Sequence, residues 1–89
     1  KALLAERVRG PDKVLPFDLV WAAGPMRNSR VNGLGPGEQA VGHYGWGGSM
    51  AMADPARRLS VAYVMNKQSV HLVADPRPVA LIEALYTAV

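Results

Sequence analysis

Apolar positions along the chain change their spacing several times, and each change predicts an element. Leu3, Leu4, Ala5 and Val8 share one side of a helical projection of residues 1–9, with charges opposite, which predicts the end of a helix. Gly10-Pro11 follows, a pair that stops helices. Phe17-Asp18-Leu19-Val20-Trp21-Ala22 is β-favouring and bounded by Pro16 and Gly24-Pro25, so it reads as a strand. Gly24 to Gly37 holds two prolines and four glycines without an apolar period, the composition of a loop. Past Ala40-Val41 and a glycine-rich run, Met50-Ala51-Met52-Ala53 leads into Asp54-Pro55-Ala56-Arg57, a turn with proline presetting φ at its second position. Leu59 to Met65 is apolar at almost every position, as in a strand covered on both faces. The strands on either side of that turn form an antiparallel hairpin. Val79, Ile82, Leu85, Tyr86 and Val89 then recur at three- and four-residue steps behind Asp75, a helix cap, with Pro76 and Pro78 tolerated in the first turn.

The order is helix, strand, glycine loop, strand, hairpin strand, helix. That is an α+β class: antiparallel sheet strands with a C-terminal helix packed across them. Composition narrows what such a piece can do. With 89 residues there is one domain at most, and its core is thin. The absence of cysteine excludes a disulfide framework and a thiolate zinc site, and two histidines far apart in sequence make no metal site by spacing. Hydrophobic content of 49% against 19% charged residues excludes a disordered tail. No apolar run approaches the ~20 residues that span a bilayer, so no membrane partner is expected. Lys1 to Arg7 carry too many charges for a signal-peptide core, and no initiator methionine is present. A longer parent chain would explain a core too small to stand alone. The formal charge of +3 does not point to nucleic acid, because the cations are scattered and only Arg57-Arg58 are adjacent, in a turn.

Seven of the nine glycines lie between Gly33 and Gly48. They do not form a phosphate loop, which needs glycines ahead of a helix N-terminus; Gly45, Gly47 and Gly48 lead into a strand, and Pro36 removes a donor from the earlier cluster. Two readings of Gly42-His43-Tyr44-Gly45-Trp46-Gly47-Gly48 stay open. One is a strand edge left uncovered so that backbone N–H groups can meet a ligand, with His43 and Gly45 on one face and Tyr44 and Trp46 on the other. The other is a bulged strand whose glycines let Trp46 pack.

From about Gly42 onward the chain resembles the C-terminal end of the β-lactamase-fold serine hydrolases, a group of class C β-lactamases, D-alanyl-D-alanine carboxypeptidases and family VIII carboxylesterases. The resemblance rests on the glycine run just quoted, on Ala53-Asp54-Pro55, on Tyr63-Val64-Met65-Asn66-Lys67 and on the terminal amphipathic helix. Members carry Lys-Thr-Gly or His-x-Gly on the strand that edges the active site, and His43-Tyr44-Gly45 is similar to the second form. Trp46-Gly47-Gly48 resembles a triplet of the esterases, so the register is open by three residues. Residues 1–41 fit more loosely, as the variable stretch before that strand.

The resemblance implies a β-lactamase-like fold and acyl transfer through a serine nucleophile, with no cofactor. The family's Ser-x-x-Lys and its Tyr-x-Asn are not in this chain: no lysine stands three residues after any of Ser29, Ser49, Ser60 or Ser69. Residues 1–89 are therefore expected to be the C-terminal part of a β-lactamase-like domain, inactive alone, with the remainder of its own polypeptide or a processed partner chain supplying the nucleophile. By the His-x-Gly register, His43 would face the site, and the Trp46 backbone N–H would be one oxyanion donor. Tyr44, Gly45, Gly47 and Gly48 would line the substrate edge. A neutral imidazole attracts carboxylates less than an ammonium does, which favours neutral esters over acidic β-lactams or peptides. The expected partner is a small-molecule ester or amide. Two rivals are a non-catalytic binding protein of the same fold and an unrelated α+β interaction module.

Overall fold

Six short stretches pair in chain order into one antiparallel sheet, and a single helix follows them. The computed structural model describes residues 2–31 and 33–88. The strands are β1 (Val8–Pro11), β2 (Asp18–Trp21), β3 (Met26–Arg27), β4 (Val41–Tyr44), β5 (Met50–Asp54) and β6 (Leu59–Tyr63), and the helix is α1 (Pro76–Ala88). The sheet order is β1-β2-β3-β4-β5-β6.

Register explains which side chains reach the core. Met26 stands opposite Gly42, Gly42 opposite Met52, and Met52 opposite Val61, one row across four strands. The next row joins Tyr44, Met50 and Tyr63. Leu19, Met26, Tyr44, Met50 and Met52 from this face form one apolar cluster with Ile82 and Tyr86 of α1. Leu34, Ala40 and Val73 close it from the connecting segments. The opposite row His43, Ala51, Ala62 is exposed and made of small residues apart from the histidine. The sheet is therefore covered on one face around β4–β6, while on the other the row from His43 to Ala62 is open and Val41 is buried.

Two polar ties fasten the helix. Asp54, at the β5–β6 turn, accepts a 2.5 Å hydrogen bond from the Tyr86 hydroxyl although the two stand 32 residues apart. Arg57, from the same turn, lies over the Tyr86 ring at 5.2 Å. Burial, then the bond to Asp54, pushes the Tyr86 phenol up to about 12. Burial, with a smaller contribution from the Asp75 charge, pushes Tyr44 up to about 12 as well. Both phenols titrate higher in the folded chain than the ~10 of an exposed tyrosine, so their contribution is full below about pH 10 and is lost as pH rises toward 12. An alkaline titration should accordingly show tyrosinate absorbance and loss of near-UV ellipticity rising together. Ionisation of Tyr44 or Tyr86 near pH 10 with the fold intact, measured in a Tyr63→Phe background, would contradict this.

Four expectations are corrected. Residues 2–5 make turns, and Val8 to Pro11 form a strand where a helix was expected over 1–9; Lys1 lies outside the described residues. One apolar stripe two turns long has little to gain as a helix, whereas pairing with β2 supplies ladder hydrogen bonds. Gly10-Pro11 thus ends an edge strand, where a missing N–H costs little. Met26–Arg27 inserts a two-residue strand into the expected loop, bridging β2 to β4. β6 is not covered on both faces: its residues alternate between half-buried and exposed, and Val64 just beyond it is 83% exposed. Finally, the strand expected through the glycine run stops at Tyr44, and residues 45–49 turn. Asp75 and the two prolines do open α1 as expected, and Pro78, Ile82 and Tyr86 carry its buried stripe; Val89 lies outside the described residues.

Candidate active-site edge

The β4–β5 connection is a tight turn closed by its own backbone. Gly45 N–H donates to Ser49 O at 2.7 Å, and Gly48 N–H donates to Gly45 O at 3.2 Å. Gly47 and Gly48 hold φ of +117° and +120°, a region that side chains avoid, so both positions require glycine. Each is also buried. The segment after β6 folds back against them: Gly47 N–H donates to His71 O at 3.2 Å, and Ser69 N–H donates to Gly47 O at 2.9 Å. Gly47 and Gly48 are therefore not bare strand edge. Their backbone is already engaged.

Trp46 differs. It stands at the tip of the turn, 75% exposed, with its indole N–H donating to Val70 O at 3.3 Å. Of residues 45–48 it alone has a backbone N–H with no hydrogen-bond partner among the described residues. The reading in which glycines let Trp46 pack into the core does not describe this geometry.

His43 is exposed on the open face of β4, tilted against Trp21 with ring centroids 5.7 Å apart. Its Nδ1 lies 2.7 Å from Tyr44 O. A carbonyl can only accept, so Nδ1 carries the proton and Nε2 of the neutral ring is left as an acceptor. Tyr44 points the other way, 4% exposed, its hydroxyl donating to Gly33 O at 3.1 Å. Thus His43, Gly45 and Trp46 follow one another along an accessible hairpin end, while Tyr44, Gly47 and Gly48 sit beneath it.

Beneath the turn lies a polar cluster that sequence reasoning missed. Asp75, 1% exposed, accepts from Arg77 Nε at 3.1 Å, from Arg77 Nη2 at 2.8 Å, from the Arg77 backbone N–H at 2.9 Å and from Ser69 Oγ at 2.6 Å. The Arg77 guanidinium, helped by Ser69, holds the Asp75 carboxyl well below the usual carboxylate range. Arg77 further donates to Lys67 O at 2.6 Å and to Gly47 O at 3.2 Å. Only the cap role of Asp75 was visible in the sequence; its reach to the glycine turn depends on a contact 30 residues away. Ser69, His71 and Asp75 are the residue types of a hydrolytic triad, but the hydroxyl gives its proton to the carboxylate and faces the protonated His71 Nδ1 or its backbone N–H as acceptor. That wiring does not activate a nucleophile. A separate groove of about 490 Å³, lined by Gly35, Pro36, Arg57, Val79, Glu83 and Tyr86 among others, lies against α1 and shares no residue with the turn.

Comparison with known proteins identifies the family. A family model described as Beta-lactamase matches residues 1–85. A crystal structure of a penicillin-binding protein homologue from Caulobacter crescentus is 56% identical, with a TM-score of 0.93 over 99% of this chain and 24% of its own. A family VIII carboxylesterase is 36% identical, also with a TM-score of 0.93 over 99% of this chain and 24% of its own. The chain thus spans about a quarter of the length of either structure. None of the curated proteins matches it.

Proposed function

The chain belongs to the beta-lactamase family, serine hydrolases of the β-lactamase fold, and on that premise we propose that it is the C-terminal part of a carboxylesterase that hydrolyses neutral esters by acyl transfer. The observation that carries the reading is the unpartnered Trp46 N–H at an exposed turn, flanked by N–H groups that are all in use. A serine from the remainder of the polypeptide attacks the ester carbonyl, and the oxygen that becomes negative lies between the Trp46 N–H and that serine's own N–H. His43 presents an Nε2 acceptor, which hydrogen-bonds a hydroxyl or water and gives a substrate carboxylate no cation to pair with. Gly45 keeps the turn tight, since a Cβ there would press on Ser49 Oγ.

The test uses the full polypeptide that contains this segment. A p-nitrophenyl ester of a short fatty acid should be hydrolysed, with an acyl adduct detected by intact mass on a serine outside these 89 residues. A His43→Lys variant should gain about tenfold in kcat/KM for a carboxylate-bearing ester relative to its neutral counterpart, the effect of one added cation at contact range. No change in that ratio would remove His43 from the substrate site. A second reading, a D-alanyl peptide or β-lactam hydrolase, draws on the higher identity to the penicillin-binding protein homologue. Faster acylation by a fluorescent penicillin than by the ester would favour it. No adduct with either probe would leave a binding protein of the same fold.

A further inference from the structure

We propose that Asp75 and Arg77 are positioning residues for the Trp46 N–H, acting through the Gly47 carbonyl and the buried face of Gly48. This rests on the reading of that N–H as an oxyanion donor. Gly47 and Gly48 have the largest backbone freedom of any residue type, so the turn needs external fixing if a donor on it is to be preorganised. The fixing is visible. Arg77 Nη2 bridges Gly47 O and Asp75 Oδ2, while Nε holds Asp75 Oδ1 and Nη1 holds Lys67 O, so all three guanidinium nitrogens are committed. Ser69 adds a backbone bond to the same Gly47 carbonyl and a side-chain bond to Asp75. Gly48 lies directly on this pair: a Cβ there would stand 2.5 Å from Asp75 Oδ2 and 2.8 Å from Arg77 Nη2.

The pair also has an electrostatic duty. A buried carboxylate this close to the turn would oppose the negative charge that develops at Trp46 N–H. Arg77 neutralises it. A lysine in place of Arg77 keeps the charge but cannot span Gly47 O and both carboxylate oxygens at once, because it lacks the planar fork.

The experiment takes Arg77→Lys and Asp75→Asn in the full polypeptide, with active sites counted by fluorophosphonate labelling. Trp46→Pro, which deletes the N–H itself, is the reference. A displaced donor should lower kcat per active site by about 10- to 100-fold with KM within about twofold, and should weaken a boronic acid inhibitor in parallel. A purely structural role would lower the count of active sites and leave kcat per site and boronate affinity unchanged. That result, with Trp46→Pro still impaired, overturns the inference and leaves the proposed function standing. Unimpaired Trp46→Pro overturns the oxyanion assignment and the inference with it. If Asp75→Asn does not fold, Arg77→Lys decides, since its side chain is partly exposed.

Discussion

In the full polypeptide, Trp46→Pro is expected to lower kcat on a neutral ester by about 10²- to 10³-fold while leaving KM little changed, the usual cost of deleting one oxyanion donor. Proline removes the backbone N–H and, with the indole, the Nε1–H that donates to Val70 O. The backbone N–H has no partner among the described residues, so the fold loses no hydrogen bond with it. The residue before a proline must be extended, and here that residue is glycine, the least restricted type. Trp46→Ala supplies the contrast. It keeps the N–H and removes an indole that is 75% exposed and tied to Val70 O, so its effect on kcat should stay below about tenfold. Equal kcat in the two variants would show that the backbone of Trp46 does not meet the developing charge.

The second large effect is on stability. Gly42→Ala should destabilise the fold by about 3 kcal/mol, read as a fall in the urea midpoint at unchanged slope. Gly42 lies in the row between Met26 and Met52, two large buried side chains. A Cβ there would stand 2.8 Å from Met52 Cα and 2.9 Å from Met52 Cβ, and would press on the Ala51 carbonyl. Those are backbone and core atoms of a paired strand, which cannot step aside as a flexible side-chain tip could. Gly24→Ala makes the comparison, since its Cβ meets nothing within 4 Å and its cost comes from a φ of +124° alone. A midpoint for Gly42→Ala within experimental error of the unsubstituted chain would refute the steric account.

What the sequence revealed was whatever depends on neighbours close along the chain. The β5–β6 hairpin was legible because Asp54-Pro55 sets its turn locally, and the Asp54 carboxylate indeed accepts from Ala56 N–H at 3.1 Å. The same carboxylate's bond to Tyr86 was not legible, because nothing within a few residues of Asp54 signals a partner on α1. β1 was missed for the same reason: its helical spacing is real, but its state is decided by β2. The glycine turn mixed both kinds of information. Its glycine content marked the segment, but the turn at residues 45–49 and the exposure of Trp46 were not legible, since a strand was expected there and a packed Trp46 stayed open. The lower half, Gly47 and Gly48, reads as open only until the segment around Ser69 and Asp75 is folded against it.

Chain-order pairing of the six strands also sets a timetable. Every ladder joins strands that are consecutive in sequence, a low contact order that lets each hairpin form as soon as its second strand is available. The bond from Arg77 to Gly47 closes a span of 30 residues and waits for the start of α1. On a ribosome adding about 5–20 residues per second, the 14 residues from Tyr63 to Arg77 take roughly 0.7–3 s, so the last strand is made that long before the turn bearing Trp46 is locked. Competence arrives after architecture, and a nascent chain halted before residue 77 would hold all six strand segments with its donor still unaimed.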